Sequence, residues 1–369
     1  MAERLRVGIL GATGTVGQRF IQLLEGHPFF EVAWLAASDR STGRRYEDAV
    51  RWKLDTSIPA AVRSLPLSPA TPGEAANPAP SIIFAALDTD IARELEPQFA
   101  AAGCAVISNS SAFRMQEDVP LVIPEVNAAH LPLIELQSWR KQSGGFIVTN
   151  PNCSAIGLVL ALKPLADRFG IEGIFVSTMQ AISGAGYPGV PSLDILGNVV
   201  PFIRNEEEKM EAETMKLLGT LEGAAVRPYA ARMSAHCNRV AVEDGHTESV
   251  SIKLRTPATR EQVLAAWSEF QPLAQHQLPT APAQPVEFLA AEDRPQPRLD
   301  RMRGAGMATT VGRLRPCSLL DWKFTVLSHN TIRGAAGAAL LNAELLMQMG
   351  ELSGTRAAHS VTAGTAVSA

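Results

Sequence analysis

The stretch Leu5-Arg6-Val7-Gly8-Ile9-Leu10-Gly11-Ala12-Thr13-Gly14-Thr15-Val16-Gly17 joins a short apolar run to the beginning of a second apolar pattern. Residues 5–10 predict a buried strand, and residues 16–24 predict a helix. Between them Gly11, Gly14 and Gly17 recur at every third position. Glycine lets the backbone turn tightly and approach a pyrophosphate, and the N-terminus of a helix stabilises its charge. The stretch therefore predicts a dinucleotide-binding loop, with an ordinary strand–helix turn as the alternative.

Strand and helix patterns continue to alternate after this loop. Apolar runs predict further strands at 31–37, 81–86, 105–108 and 146–149. Short apolar runs separated by helices are typical of a parallel sheet whose two faces are both covered. We therefore expect an α/β fold in which a Rossmann-type, parallel-sheet dinucleotide-binding domain occupies residues 1–150.

The pattern changes in the second half of the chain. Strands are predicted at 173–180, 248–254 and 322–327, and longer amphipathic helices at 206–218 and 260–270. Strands mixed with longer helices are typical of an α+β domain, which we expect over residues 151–329.

Four segments differ from these two patterns. Residues 331–349 predict an Ala- and Leu-rich helix, and we expect the segment 330–349 to return to the first domain. Residues 350–369 are small and polar, and we expect a disordered tail there. The segments 59–80 and 278–297 are rich in Pro and Ala and predict surface excursions.

The composition limits the possible functional class. The chain has 369 residues, 46% hydrophobic and 19% charged, with a formal net charge of -4. This length suggests two domains, and the charge provides no basic surface for nucleic acid. No apolar run reaches the ~20 residues of a membrane span, and we expect no signal peptide. The cysteines are scattered, which fits a reducing cytoplasm and predicts neither disulfides nor a metal site; they are Cys104, Cys153, Cys237 and Cys317.

Residues Asn150-Pro151-Asn152-Cys153-Ser154 place one cysteine between the strand predicted at 146–149 and a helical pattern. The positive end of a helix favours a thiolate over a thiol, and a thiolate attacks carbonyl groups. Cys153 is therefore a candidate nucleophile. The alternative is that it is one of four small, buried cysteines.

The end of the second predicted strand bears on the choice of cofactor. NAD-specific sites usually carry an acidic residue there, which binds the ribose hydroxyls. In this chain Ser38 stands near that point, followed by Asp39, Arg40 and Ser41. A guanidinium and hydroxyl groups suit a 2′-phosphate, so the sequence favours NADP. Asp39 is evidence for NAD, and a solvated turn is the alternative.

Polar residues follow predicted strands or begin predicted helices, where they could bind an anionic substrate. Arg114 follows the segment 108–113 and could bind an anion or lie on the surface. Gln180 precedes a glycine-rich turn and could hold a carbonyl or carboxylate group. Glu206 and Lys209 share one face at a helix start, where a surface ion pair is the alternative.

Two further segments carry candidate groups. Arg239 and His246 flank a turn predicted at Asp244-Gly245. A histidine with a pKa near neutrality can take a proton from a thiol, although a lone histidine is more often structural. Asn330 opens the last predicted helix, which it could cap, or it could contact a cofactor amide.

Taken together, seven segments in this order resemble the aspartate-β-semialdehyde dehydrogenase family, specifically its archaeal and fungal branch. The matching segments are Gly11–Gly17, Ser108–Arg114, Asn150–Cys153, Gln180–Gly189, Glu206–Lys209, Arg239–Thr247 and Asn330–Gly337. They extend over residues 6–348, and the resemblance is thin across 54–80 and 258–305.

The resemblance implies a role for each candidate residue. Cys153 would be the acyl-enzyme nucleophile, His246 the acid/base, and Gln180 a group that holds the substrate. The substrate-binding residues would be Asn152 beside the nucleophile, Glu206 for the α-amino group, Arg239 for the α-carboxylate, and Arg114 and Lys209 for the phosphate. The NADP site would be lined by Gly11, Thr13, Gly14, Thr15, Val16, Ser38, Arg40, Ser41, Ser183, Gly184 and Asn330.

The resemblance also implies a reaction. NADPH would reduce L-aspartyl-4-phosphate to L-aspartate 4-semialdehyde and phosphate through a thioester on Cys153, a step in lysine, threonine and methionine biosynthesis. The second domain would be catalytic and would form a homodimer, or a dimer of dimers, that is, a homotetramer. We expect the protein to act in the cytoplasm on a small molecule, with neither membrane nor nucleic acid as a partner.

Other functions on the same scaffold are open at this point. Malonyl-CoA reductase would need room for coenzyme A where phosphate binds. N-acetyl-γ-glutamyl-phosphate reductase binds no free α-amino group, so Glu206 argues against it. A non-catalytic nucleotide-binding protein is disfavoured by the joint presence of Cys153 and His246 with Gln180, Lys209 and Arg239.

Overall fold

The structure is a computed structural model, and it describes residues 4–74 and 80–352. The described part contains two six-stranded sheets and one two-stranded sheet. Within it, no helix is both long and apolar enough to cross a membrane. The tail expected at 350–369 lies outside the described residues from residue 353 onwards, and Leu352 before it is buried in a core.

Strands and helices alternate over much of the first half of the chain, whereas β8 to β11 follow one another directly in the second half. The strands are β1 Leu5–Leu10, β2 Phe30–Ala36, β3 Leu67–Ser68, β4 Ile82–Ala85, β5 Ala105–Ser108, β6 Phe146–Thr149, β7 Ile171–Gln180, β8 Thr220–Glu222, β9 Ala225–Arg227, β10 Arg232–Arg239, β11 His246–Leu254, β12 Val286–Leu289, β13 Thr309–Pro316 and β14 Trp322–Ser328. The α-helices are α1 Thr15–Leu23, α2 Tyr46–Ala49, α3 Ala60–Arg63, α4 Thr89–Ala101, α5 Pro124–Asn127, α6 Ser138–Ser143, α7 Cys153–Phe169, α8 Ser192–Ile195, α9 Glu206–Leu217, α10 Arg260–Ser268, α11 Pro297–Asp300 and α12 Gly337–Gln348. Short 3-10 turns cover Asp39–Ser41, Pro72–Glu74, Ala128–Leu136, Ile182–Ala185 and Arg303–Gly306.

The first sheet has the strand order β3-β2-β1-β4-β5-β6, and all of its strand pairs are parallel. This is the order of a Rossmann-type sheet, in which the loop after β1 lies where the strand order reverses. The predicted α/β fold class is confirmed. The segment 59–80 is not only a surface excursion, because it contributes α3 and the edge strand β3, where Leu67 is buried.

Helices cover both faces of the first sheet. Because side chains alternate along a strand, Val7 and Ile9 lie in the core shared with α1 and α12, whereas Leu10 lies in the core shared with α4. Helix α12 is buried along most of its length in the first of these cores. The last described helix therefore returns to the first sheet.

The second sheet is mixed, with the order β10-β7-β11-β14-β13-β12. Helices α7 and α10 cover one face, where Trp267 is fully buried. On the opposite face the segment at Arg294 and Pro295 packs over Gly312 of β13, whereas Phe175 and Met179 of β7 are exposed. The segment 278–297 is likewise more than a surface excursion, since it contains β12 and the buried Leu278.

Residues 331–349, predicted as one helix, begin differently. Ile332–Ala336 form a π-helical segment, and α12 follows it at Gly337. The segment is buried, and Gly334 packs against Cys153: a Cβ added to Gly334 would lie 2.7 Å from the Cβ of Cys153. The wider turn thus lets backbone from the end of the chain support the beginning of α7.

Candidate active site

Cys153 is the first residue of α7, directly after β6 and the Asn150-Pro151-Asn152 turn. Asn152 caps the helix, because its Oδ1 accepts hydrogen bonds from the backbone N–H of Ser154 at 2.8 Å and of Ala155 at 3.1 Å. The structure therefore places the predicted nucleophile at a helix N-terminus whose cap is itself a predicted substrate-binding residue.

His246, the first residue of β11, meets this cysteine across 93 positions of sequence. Its Nε2 lies 3.2 Å from the Sγ of Cys153, and its Nδ1 accepts a hydrogen bond from the backbone N–H of Ala181 at 3.0 Å. Burial, with the neighbouring Arg239 and His329 acting in the same direction, lowers the pKa of His246 to about 3. The imidazole is therefore neutral in this environment.

The charge around Cys153 does not by itself produce a thiolate. Burial raises the pKa of the Cys153 thiol to about 12, and the carboxylate of Glu206 acts in the same direction. Arg239 and Arg114 oppose this effect and lower the thiol pKa. Burial thus outweighs the helix N-terminus, which the sequence alone led us to expect would favour the thiolate.

Glu206 is the point at which three of the predicted residues meet. Its Oε1 accepts hydrogen bonds from Asn152 Nδ2 at 2.9 Å and from Gln180 Nε2 at 3.0 Å. Glu206 is only 7% exposed, so it faces the site and is not a surface group. Lys209, at a half-buried position one turn further along α9, makes no side-chain hydrogen bond or ion pair within residues 4–74 and 80–352.

Arg114 is held in the site by a residue that sequence reasoning missed. Its Nη1 donates to Glu213 Oε1 at 3.0 Å, and its Nη2 donates to the carbonyl of Asn109 at 2.7 Å. The other Glu213 oxygen accepts the backbone N–H of Asn152 at 2.6 Å. Glu213 stands seven positions after Glu206 on α9, and this two-turn spacing on one helical face was the available signal.

Arg239 ends β10, where Gly184 packs against it. Its Nη1 donates to the carbonyl of Ala181 at 2.8 Å. A Cβ added to Gly184 would lie 2.8 Å from Arg239 Nη1 and 3.0 Å from His246 Cε1. Gly184 therefore leaves room for both side chains, independently of any contact with a cofactor.

The loop between β1 and α1 fits a pyrophosphate. Gly11 has a positive φ of 76°, and a Cβ there would lie 2.3 Å from the carbonyl oxygen of Ala86. A Cβ on Gly17 would lie 2.3 Å from the Gly11 oxygen. Gly14 precedes α1 without a side-chain cap, so the first N–H groups of the helix face outwards beside Thr13, Thr15 and Val16.

The turn after β2 lies beside this loop, since β2 pairs with β1. Ser38 and Arg40 are exposed there, and Ser41 is half-buried. A cation and hydroxyl groups at this edge match the chemistry of a 2′-phosphate.

Asn330 connects the two segments that enclose His246. Its Nδ2 donates to Ser183 Oγ at 2.8 Å, and its Oδ1 accepts the backbone N–H of Gly245 at 2.8 Å. It does not cap the following helical segment. The structure thus joins the predicted cofactor residues Ser183 and Asn330 by a hydrogen bond.

Three contacts behind the cysteine could not be predicted. Asn150 Nδ2 donates to Asn109 Oδ1 at 2.8 Å, and Asn150 Oδ1 accepts from Asn342 Nδ2 at 2.6 Å. The fully buried Arg333 forms a bidentate ion pair with Glu125, at 2.8 and 2.7 Å. The contact with Asn342 joins α12 to the loop before Cys153, and the Arg333 ion pair joins the π-helical segment to α5.

Comparison with known families agrees with this geometry. Residues 6–134 match the model of a semialdehyde dehydrogenase NAD binding domain, and residues 162–333 match that of a semialdehyde dehydrogenase dimerisation domain. The two matches cover most of the chain and divide it into the halves that contain the two large sheets.

Individual relatives extend over nearly the whole chain. The aspartate-semialdehyde dehydrogenase of Methanothermobacter thermautotrophicus is 51% identical over 348 residues, 94% of this chain and 99% of the relative. That of Saccharomyces cerevisiae is 45% identical over 365 residues, 94% and 99% of the two chains. A crystal structure of aspartate semialdehyde dehydrogenase with NADP from Candida albicans is 43% identical, with a TM-score of 0.86 over 93% of this chain and 98% of that one. The chain therefore belongs to the aspartate-semialdehyde dehydrogenase family.

Proposed function

We propose that this protein reduces L-aspartyl-4-phosphate to L-aspartate 4-semialdehyde and phosphate with NADPH, a step in lysine, threonine and methionine biosynthesis. The observation that carries the proposal is the 3.2 Å contact between Cys153 Sγ and His246 Nε2, in a pocket bordered by Glu206 and two arginines. A nucleophile next to a proton-bearing group is the arrangement that acyl transfer needs.

The charges of the pocket match those of the substrate. Aspartyl phosphate carries an ammonium group, an α-carboxylate and a phosphate. We assign the ammonium to Glu206, the carboxylate to Arg239, and the phosphate to Arg114 with Lys209, while Asn152 and Gln180 orient the reacting carbonyl. Because Glu206 raises the pKa of the Cys153 thiol, a substrate ammonium placed on Glu206 would ease formation of the thiolate.

The chain's own residues account for the binding of NADP. We assign the pyrophosphate to the loop of Gly11, Thr13, Gly14, Thr15 and Val16, the 2′-phosphate to Ser38, Arg40 and Ser41, and the nicotinamide end to Ser183, Gly184 and Asn330. When bound, the nicotinamide supplies the hydride that reduces the thioester. The NADP in the Candida albicans relative supports this assignment.

The catalytic groups then act on Cys153 in sequence. The thiolate attacks the acyl carbon, phosphate leaves toward the cations of Arg114 and Lys209, and the thioester remains on the sulfur. His246, in contact with the sulfur, is the acid/base candidate for the tetrahedral intermediates. Gly334 and Asn152 hold the cysteine in place on either side.

We also propose that the two parts of the chain have different roles. Residues 1–150 with 330–349 would bind NADP, and residues 151–329 would carry catalysis and dimerisation. The match to a dimerisation domain supports an oligomer, and the face of the second sheet that exposes Phe175 and Met179 is the surface that we assign to a homodimer, itself able to pair into a homotetramer. Four free cysteines support a reducing cytoplasm.

The test is a steady-state assay of the purified protein. L-aspartate 4-semialdehyde, phosphate and NADP should give NADPH, faster than with NAD, and neither malonyl-CoA nor N-acetyl-γ-glutamyl phosphate should be reduced comparably. Cys153→Ala should abolish turnover while NADP binding persists, and Cys317→Ala, at a half-buried cysteine in the β13–β14 connection, should retain it. Turnover by Cys153→Ala would contradict the thioester mechanism.

A further inference from the structure

Helix α9 carries three of the groups assigned to the substrate site. Glu206 and Lys209 lie near its beginning, and Glu213, which holds Arg114, lies further along it. The local sequence fixes the start of this helix only weakly, because Asn205 precedes it without a side-chain cap. Contacts with other elements therefore decide where the first turns of α9 lie.

Two carboxylates of α9 make such contacts with the edge strand β10. Glu207 Oε1 accepts the backbone N–H of Cys237 at 2.9 Å, and Glu211 Oε1 accepts that of Ala235 at 3.0 Å. In a parallel pair only alternate residues bond to the neighbouring strand, so the other N–H groups of an edge strand find no partner within the sheet. The two carboxylates supply these partners from a helix.

The spacing of the two contacts is nearly the same on both elements. Positions four apart on a helix are separated by about 6 Å along its axis, and positions two apart on a strand by about 6.6 Å. Glu207 and Glu211 can therefore reach Cys237 and Ala235 together in only one register of α9 against β10. The packing agrees with this register, since Met210 Sδ lies 3.5 Å from Cys237 Sγ.

The backbone contacts along this edge continue to Arg239. Its N–H donates to the carbonyl of Val200 at 2.8 Å, and its carbonyl accepts the N–H of Val200 at 3.0 Å. Val200 lies in the segment that leads into α9, so this segment and the helix are both fixed to β10. The position of Glu206 relative to Arg239 follows from these contacts.

From this geometry, and resting on the function proposed above, we propose that Glu207 and Glu211 are positioning residues that set the selectivity of the site for an α-amino acid. The ammonium and carboxylate groups of aspartate semialdehyde are attached to one carbon atom, so Glu206 and Arg239 have to converge on one point. The two carboxylates hold α9 in the register that brings them together. Both act through the placement of Glu206.

The other end of α9 is held independently. Lys216 Nζ donates to the carbonyls of Arg114 and Gln116, at 2.7 and 2.9 Å. Loss of the carboxylates of Glu207 and Glu211 should therefore release the first turns of the helix and leave its last turn docked.

The first test compares kcat/KM for aspartate semialdehyde with kcat/KM for succinate semialdehyde, which lacks only the α-amino group. Changes in phosphate binding or in the folded fraction act on both substrates and cancel in this ratio. We expect the double variant Glu207→Ala/Glu211→Ala to lower the ratio by ~10-fold or more, because the contact between Glu206 and the ammonium is lost.

Two controls are matched to this variant. Glu208, exposed in the same first turn of α9, carries the same charge, and the amide oxygen of Glu207→Gln still accepts a hydrogen bond. We expect Glu208→Ala and Glu207→Gln to leave the ratio within ~3-fold of the wild type. An unchanged ratio in the double variant, or an equal loss in Glu208→Ala, would contradict the proposal.

A second measurement does not depend on turnover. In the full-length protein, hydrogen exchange of the Ala235 and Cys237 amides should be ~10-fold faster or more in Glu207→Ala/Glu211→Ala and unchanged in Glu208→Ala. Equal exchange in the wild type and the double variant would overturn the proposal. If the wild type does not turn over aspartate semialdehyde, the proposed function fails, and the exchange rates still decide whether the two carboxylates hold β10.

Discussion

Glu248 is a buried residue whose environment lowers the stability of the folded protein as the pH rises. It lies on β11 two positions after His246, is 1% exposed, and neither carboxyl oxygen has a hydrogen-bond partner among the described residues. Burial raises its pKa well above the usual range, and the nearby charge of Glu206 raises it further. The group is therefore a neutral carboxylic acid beneath the site.

This protonation predicts a pH-dependent stability. In the unfolded chain the Glu248 carboxyl loses its proton near pH ~4.3, whereas in the folded protein it keeps it. Stability is therefore lost as pH rises above that value, by up to about 1.4 kcal/mol per pH unit. Glu248→Gln removes this loss, so the Tm difference from the wild type should grow from near zero at about pH 4 toward neutral pH. Glu172→Gln, exposed on the neighbouring β7, is the control, and a pH-independent difference for Glu248→Gln would contradict the prediction.

The site residues that could be predicted from the sequence share one property, their position beside a strand end or a helix start. The residues that were missed lack it. Cys153, His246 and Glu206 carry reactive or charged groups next to recognisable strand ends and helix starts. Glu213 is in the interior of α9, and Asn342 is in the interior of α12. The spacing from Glu206 indicates the face of α9 on which Glu213 lies, but the roles of Glu213 and Asn342 depend on contacts made across 61 and 192 residues of sequence, and no local pattern encodes those partners.

At the scale of elements, the beginning of α7 combines stability with function. Asn152 caps this helix and also donates to Glu206. Thr259 caps α10 through a capping box, away from the catalytic residues. The two caps make the same kind of local contact, so they can be compared directly.

We expect Asn152→Ala and Thr259→Ala each to lower the free energy of unfolding by about 0.5–2 kcal/mol, because each leaves helix N–H groups unsatisfied. Only Asn152→Ala should also lower kcat/KM, by ~10-fold or more, since Glu206 and the backbone beside Cys153 lose a partner. Denaturant titration and steady-state kinetics on the same preparations test this. Equal activity in the two variants would show that Asn152 serves the helix alone.

The observed strands show which elements can be predicted from a single sequence. Five of the six strands of the first sheet could be predicted because strands buried on both faces are continuous apolar runs, as in β1 and β4, whereas the two-residue edge strand β3 was missed. The edge strand β10 was not predicted, because its sequence from Arg232 to Arg239 is largely polar and is buried only at alternate positions near its end. It is held by parallel pairing with β7, a contact that its own composition does not indicate.

At the scale of the whole molecule, the face of the second sheet opposite α7 and α10 exposes two apolar side chains of β7. Phe175 is 43% exposed and Met179 is 36% exposed on this face, and the ring of His236 lies 5.5 Å from that of Phe175. Exposed apolar side chains on a regular sheet surface are typical of an interface between subunits.

We expect Phe175→Glu to convert the oligomer to monomers, because it would bury a carboxylate against its symmetry mate. Analytical ultracentrifugation across a concentration series measures the change. Leu319→Glu, at an 89% exposed leucine in the turn between β13 and β14, is the control and should leave the oligomer intact. An unchanged sedimentation coefficient for Phe175→Glu would place the interface elsewhere.

The packing of Gly334 on Cys153 has a consequence for how the enzyme is made. The support for the nucleophile comes from backbone far downstream: Asn150, just before it, bonds to Ala335, 185 residues later. A ribosome therefore releases the reactive cysteine long before it releases the segment that holds it. We therefore expect the site to be completed late, when α12, the last described helix, docks on the first core.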